Sequence, residues 1–258
     1  MPTHATLITQ WADSEAEVRE AQRLRYLVFA QEMGARLTPP EGTPSGVDAD
    51  RFDPYCDHLL VRAVGSDHAA GLLIGTYRVL TPMAAERAGG FYTDTEFDLA
   101  PLHALRSRAV ELGRSCVHPA WRSGAVIMAL WTALGHYMVR RGLDTMIGCA
   151  SIGLDDHGAT ASRLWRRLCH THLVEQQWRV QPRVPLPLAA ANDGDRSDAP
   201  CDAPPLIKGY LRCGARLLGP PAFDVKFNTA DLPLILRMDD VTSRYRRHFF
   251  DMTTSAVL

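Results

Sequence analysis

Ala109-Val110-Glu111-Leu112-Gly113-Arg114-Ser115-Cys116-Val117-His118-Pro119-Ala120-Trp121-Arg122-Ser123-Gly124 reads as a strand that turns into a helix. The strand, Ala109 to Val117, is apolar or small except at Glu111 and Arg114, and beyond the turn Ile127, Leu130, Trp131, Leu134, Tyr137 and Met138 recur at helical spacing. A carboxylate in such a strand needs a reason. Strand period two groups Glu111 with Gly113, Ser115 and Val117 on one face, and Leu112, Arg114 and Cys116 on the other. Small residues beside the acid leave room for a ligand. A partly desolvated glutamate there can take a proton from an ammonium nucleophile, directly or through water. An ion pair of Glu111 with Arg78 or Arg114 that merely closes the sheet is the alternative.

The turn offers backbone N–H groups and the positive end of a helix dipole, flanked by Arg122 and Ser123, with Gly124 allowing close approach; such a terminus binds phosphate. An ordinary turn with a solvated arginine is the other reading. Upstream, Thr6 to Trp11 is a short strand, and Ser14-Glu15-Ala16-Glu17 is a capping box opening a helix that runs to about Met33, where Gly34 stops it. In that helix Val18, Ala21, Leu24, Val28 and Phe29 make the apolar stripe, and Arg19, Arg23 and Arg25 fall mostly off it. Ala35 to Asp57 has no period and reads as a long ordered loop or lid. His58–Val64 and Leu72–Leu80 form a hairpin. Downstream come a strand at Thr145–Ser151, helices at Gly158–His172 and Leu206–Cys213, and strands at Ala215–Leu218 and Leu232–Met238. A run of strands followed by a strand–helix–strand crossover predicts an α/β (α+β) domain with a mixed, mostly antiparallel sheet flanked by helices. One domain over residues 1–258 is expected, with a flexible insertion at 182–205, where six of the 17 prolines fall.

Lys+Arg 28 against Asp+Glu 29 gives a net charge of −1, which calls for neither nucleic acid nor an anionic membrane as partner. The six cysteines are scattered without a C-x-x-C pair, which fits reduced thiols in a cytoplasm. Cys169-His170-Thr171-His172 and Cys116-Val117-His118 lack a second cluster at zinc spacing, so no metal site is expected. Residues 1–10 do not have the pattern of a signal peptide, and no run reaches about 18 apolar residues. A soluble protein able to touch a membrane surface is expected. No G-x-G-x-x-G or G-x-x-x-x-G-K-[ST] stretch supports a dinucleotide or P-loop site.

Glu111 to Arg122, Glu-Leu-Gly-Arg-Ser-Cys-Val-His-Pro-x-x-Arg, resembles the fourth strand and phosphopantetheine loop of GNAT-fold acyltransferases that use acyl carrier protein. The likeness is closest to the bacterial ornithine Nα-acyltransferases (lyso-ornithine-lipid synthases, sometimes labelled hemolysin-like) and more distant to acyl-homoserine-lactone synthases. It extends to Arg25-Tyr26-x-Val28-Phe29-x-x-Glu32-x-Gly34, to Asp50-x-Phe52-Asp53-x-x-Cys56-Asp57-His58-Leu59 and to Gly75-Thr76-Tyr77-Arg78-Val79-Leu80. Gly90-Phe91-Tyr92, Glu96-Phe97-Asp98, Lys208-Gly209-Tyr210-Leu211-Arg212-x-Gly214-Ala215, Phe227-Asn228-Thr229-Ala230-Asp231 and Arg244-Tyr245-x-x-His248-Phe249 also fit it, so the span is about Arg25 to Phe249.

The resemblance implies transfer of a 3-hydroxyacyl or acyl group from the phosphopantetheine arm of acyl carrier protein to the α-amine of ornithine, the first step of ornithine-lipid synthesis. It implies Glu111 as general base and N–H groups near Cys116–Val117, beside Ser115, as polarisers of the thioester carbonyl. Cys116 is then a packing residue, because no acyl-enzyme is needed. Arg122, Ser123 and Gly124 would take the phosphopantetheine phosphate. The usual coenzyme A loop reads Gln/Arg-x-x-Gly-x-Gly/Ala, and Arg122-Ser123-Gly124-Ala125 is one residue short of it, which favours the carrier protein over coenzyme A. Arg140, Arg141, Arg163, Arg166 and Arg167 are candidates for docking the acidic carrier. Asp48, Asp50, Asp53 and Asp57, with Glu96 and Asp98, are candidates for the second ammonium of ornithine, and Arg78 or Arg114 for its carboxylate. The location implied is cytoplasmic, with peripheral contact at the inner membrane. Another N-acyl amino acid or acyl-homoserine-lactone-type synthase, or a silent acyl-carrier-binding or lipid-binding protein of the same fold, are the alternatives.

Overall fold

A computed structural model describes residues 5–65, 68–188 and 203–250. In chain order the elements are β1 (Thr6–Trp11), α1 (Glu15–Tyr26), β2 (Asp57–Gly65), β3 (His68–Leu80), α2 (Pro82–Ala88), α3 (Thr93–Glu96), β4 (Phe97–Asp98) and β5 (Ala109–Val117). These are followed by α4 (Gly124–Arg141), β6 (Thr145–Gly153), α5 (Ala159–Thr171), β7 (Gln181–Pro182), α6 (Pro205–Cys213), β8 (Arg216–Leu217), β9 (Ala222–Asp224), β10 (Thr229–Arg237) and α7 (Ser243–Phe250). They fall into two compact units: Met1–Ala88, Leu112–Leu143 and Ser243–Leu258 in one, Gly89–Glu111 and Asp144–Thr242 in the other.

In the first unit the strand order is β1-β2-β3-β5, with β1–β2 and β2–β3 antiparallel. Leu60 packs with Ala21, Leu24 and Val28 of α1. Its neighbour Val61 lies beside Gly75, where an added Cβ would come within 2.8 Å of Val126 on α4. Successive strand residues face opposite ways, so α1 and α4 cover opposite faces of this sheet. That is why β2 and β3 read as nearly continuous apolar runs. Ser14 caps α1 through the Glu17 N–H at 3.4 Å, while the Glu17 carboxylate reaches the Asp13 N–H at 2.9 Å, one residue before the position a capping box uses. Helix α1 does continue toward Met33, but Leu27–Glu32 is wound as a π-helix before Gly34 turns the chain at φ +73°.

In the second unit β6 pairs in parallel with β5 at Ala109–Glu111 and antiparallel with β10, which also carries β8 and β9. The mixed sheet agrees with the expected order of strands. Leu164 and Leu168 of α5 and Ile207 of α6 close over Ala150, Ile152, Leu217 and Leu232. Gly214 ends α6 at φ +111°, and a Cβ there would lie 2.2 Å from the Asp240 carbonyl oxygen. The middle of the expected insertion, 189–202, lies outside the described residues. Its leading edge is bound to this unit: β7 pairs with β4, and the Leu186 N–H donates to the Pro221 carbonyl at 3.1 Å.

Residues 81–108 contain α2, α3, β4 and 3-10 turns over Ala100–Arg108, none of which the sequence pattern marks. Each is too short for a period to declare itself. β9 and α7 were missed for the same reason. The last long strand is Thr229–Arg237 rather than Leu232–Met238.

Candidate active site

Glu111 is 5% exposed. Its carboxylate accepts the Tyr92 N–H at 2.5 Å, the Thr93 N–H at 2.6 Å and the Thr93 hydroxyl. The donors arrive because Gly89 and Gly90, at φ +80° and +130°, turn the chain so that Tyr92 caps α3 with its first N–H groups aimed at β5. Asp94 fixes the turn: it accepts the Phe91 N–H at 2.7 Å and takes Arg106 through both oxygens at 2.8 and 2.6 Å. Sequence reasoning found the acid and missed its holders. The Gly89-Gly90 pair was the available signal, since paired glycines mark a chain reversal.

Arg114 sits at φ +52°, the left-handed region, inside β5. A residue there breaks the alternation of side chains as a bulge does. The period-two grouping of Glu111 with Ser115 and Val117 therefore does not carry past Arg114, and Cys116 and Val117 are buried in succession. Cys116 packs in the cluster of Ala21, Leu24 and Leu60, and burial pushes its thiol up to about 12. That environment suits packing rather than nucleophilic attack.

The arginines and aspartates proposed for the amino acid form a network in the first unit. Arg25, fully buried, donates to Asp48 at 2.7 Å and to both oxygens of Asp53 at 2.6 and 3.0 Å. Arg78 meets Asp50 at 2.7 Å and Asp53 at 3.4 Å; Arg114 meets Asp50 at 3.0 Å and Asp48 at 3.2 Å. Burial works against the ionised aspartates, but Arg25 and Arg78 hold Asp53, and Arg78 and Arg114 hold Asp50, below the usual carboxylate range. The network ties the 35–57 loop to α1, β3 and β5. It corrects the placing of Arg25 off the buried stripe. Its most accessible members are Asp50 and Arg114, with side chains 20% and 12% exposed.

Asp57 has other partners: the Tyr137 hydroxyl at 2.5 Å and Arg141 at 3.3 Å. With Trp11 and Arg140 these residues line a surface pocket of about 200 Å³. Asp98 accepts the Ala100 N–H at 3.1 Å, and the Glu96 carbonyl accepts the Arg183 N–H at 2.8 Å.

The turn after β5 leads directly into the N-terminus of α4. Ser123 caps α4 without a side-chain hydrogen bond, and Ser123 and Gly124 are exposed. Arg122, half exposed, pairs with Glu32 at 2.6 Å. Arg140 and Arg141 end α4, whereas Arg163, Arg166 and Arg167 lie on α5 in the other unit.

Residues 24–132 match the acetyltransferase (GNAT) domain family. The chain is 36% identical over 258 residues to the L-ornithine N(alpha)-acyltransferase of Rhizobium meliloti, covering 95% of this chain and 84% of that protein. It is 37% identical to the enzyme of the same name from Rhodobacter capsulatus, covering 90% of each. Among solved structures, the acyl-homoserine-lactone synthase LasI superposes with a TM-score of 0.53 at 11% identity, covering 96% of both chains. FeeM, an N-acyl amino acid synthase from uncultured soil microbes, gives 0.52 at 12% identity, also covering 96% of both. The fold is thus of the GNAT type, and no helix of the described residues is long and apolar enough to cross a membrane.

Proposed function

Because the chain belongs to the family of L-ornithine Nα-acyltransferases, we propose that it moves a 3-hydroxyacyl or acyl group from the thioester of acyl carrier protein to the α-amine of ornithine. Glu111 is the general base. The observation that carries this reading is a buried carboxylate on β5 held by two backbone N–H groups and a hydroxyl. Such donors orient the acid and hold it in the ionised form, the only one that can accept a proton.

Glu111 removes the proton from the α-ammonium, directly or through water, and the freed amine attacks the thioester carbonyl. The oxyanion is met by N–H groups near Cys116–Val117, and collapse of the tetrahedral adduct forms the amide and expels the carrier thiol. Cys116 takes no covalent part. The N-terminus of α4, with Arg122, Ser123 and Gly124, receives the single phosphate of the carrier arm. Arg114 and Asp50, the open corner of the charge network, meet the charged groups of the amino acid; Arg78 and Asp53 hold them in place. Asp57, bound to Tyr137 and Arg141, is a weaker candidate for the ammonium, because two arginines share its pocket. The amphiphilic product makes peripheral contact with a membrane a reasonable extension of this reading.

The test is mass spectrometry of purified protein with 3-hydroxyacyl-carrier protein and ornithine, beside acyl-coenzyme A as the competing donor. Glu111→Gln, checked for native circular dichroism, is expected to lose about 10²- to 10⁴-fold in rate. Acyl-ornithine at an undiminished rate from Glu111→Gln would remove the base; faster turnover with coenzyme A would replace the donor. No product with ornithine or a pool of amino acids would favour a silent binding protein.

A further inference from the structure

We propose that Thr93 is a positioning residue, whose hydroxyl sets the orientation and proton affinity of the Glu111 carboxylate. The inference rests on Glu111 being the base and assigns part of the machinery to a residue outside β5.

Thr93 is 1% exposed and gives Glu111 Oε1 both of its donors, the backbone N–H at 2.6 Å and the side-chain hydroxyl, while the Tyr92 N–H holds Oε2 at 2.5 Å. Two consecutive residues thus clasp both carboxylate oxygens and fix the plane of the acid. The clasp is anchored apart from Glu111. Asp94 holds the Phe91 N–H and Arg106, the Arg183 side chain donates to the Asp94 carbonyl at 2.7 Å, and the Tyr92 hydroxyl donates to Asp224 at 3.2 Å. Gly90 is required here, since a Cβ would lie 2.9 Å from the Asp94 carboxylate.

A threonine hydroxyl has one proton to give. The other neighbour of Thr93 Oγ1 is Cys149 Sγ at 3.7 Å. The Thr93 hydroxyl donates to Glu111, and burial, with Asp231 and Glu111 nearby, keeps the Cys149 thiol protonated, so the thiol does not compete as an anion for that hydroxyl. The two backbone donors could be removed only by proline, which would also constrain the turn, whereas the hydroxyl can be removed on its own. Donors to the ionised form favour it. Removing one makes the carboxylate bind its proton at higher pH and frees it to rotate.

The experiment is steady-state acyl transfer by the full chain, with 3-hydroxyacyl-carrier protein and ornithine, as a function of pH. Thr93→Val, which keeps the shape and loses the donor, is expected to lower kcat about tenfold and to move the acid limb of kcat/KM up by about one pH unit. KM for ornithine should stay within about twofold, because Thr93 is not assigned a substrate contact. Thr93→Ser should restore both kcat and the limb. If Thr93→Val does not fold, the smaller Thr93→Ala makes the same comparison. A residue that served the fold alone would lower the melting temperature and leave the limb where it was; that outcome, with Glu111→Gln inactive, overturns this proposal by itself. Full activity in Glu111→Gln overturns the base and this proposal together.

Discussion

Glu111 and Asp53 are buried to nearly the same degree, 5% and 6% exposed, yet their partners differ in kind. Asp53 is gripped through both oxygens by Arg25 and again by Arg78, in a network of three arginines and three aspartates. Glu111 rests on two peptide N–H groups and a hydroxyl. A carboxylate facing guanidinium groups gives up full Coulombic attractions when it takes a proton, so its charge is fixed at any ordinary pH. Glu111 is held mainly by peptide and hydroxyl donors, and the Arg106 charge that also reaches it is paired to Asp94, so protonation gives up a different set of partners. The same degree of burial thus goes with a charge network in one unit and, in the other, with a carboxylate held mostly by peptide and hydroxyl donors, the proposed proton acceptor.

The sharpest way to break this contrast is at Arg25. Arg25→Leu leaves Asp48 and Asp53 buried without their main counter-charge and is expected to cost about 3–5 kcal/mol in urea unfolding. A loss under about 1 kcal/mol would mean that the network is not what ties the 35–57 loop to α1. The next effect is on acid stability. Asp50 and Asp53 have folded-state pKa values below their unfolded ones, so the stability they contribute is complete above about pH 4 and fades as pH falls through their depressed values. Arg78 faces both acids. Arg78→Met should therefore raise the midpoint of acid unfolding, by about one pH unit in circular dichroism. An unchanged midpoint would place the acid-sensitive groups elsewhere.

Glu111 was legible because one acid in the apolar run Ala109–Val117 is a local anomaly. Its holders were not, because Thr93 lies 18 residues earlier in a helix of four residues. The charge network hid for a related reason. Arg25 reads as a solvent-side arginine until carboxylates 23 and 28 residues further on fold over it. Hydrophobic pattern carries long elements such as β2, β3, β5, α4 and β6, where many residues repeat one signal. It has no hold on a left-handed Arg114, a single dihedral angle that alters which way the following side chains face.

Arg122 sharpens the comparison from the weak end. Its guanidinium also meets a carboxylate, Glu32 at 2.6 Å, but the two side chains are 50% and 36% exposed. Water competes for both groups, so the pair contributes only about 0–1 kcal/mol, and Arg122→Ala should unfold close to wild type. What makes the pair weak also makes Arg122 free to exchange partners, as the buried arginines are not. If the N-terminus of α4 receives the carrier's phosphate, Arg122→Ala should raise KM for the acyl-carrier protein about three- to tenfold, leave kcat unchanged, and lose most of that difference in high salt. Glu32→Gln removes the competing carboxylate and should move KM the opposite way. Equal KM values for all three proteins at low and high salt would confine Arg122 to its pairing with Glu32 and shift the search for the phosphate's partners to the backbone of the turn.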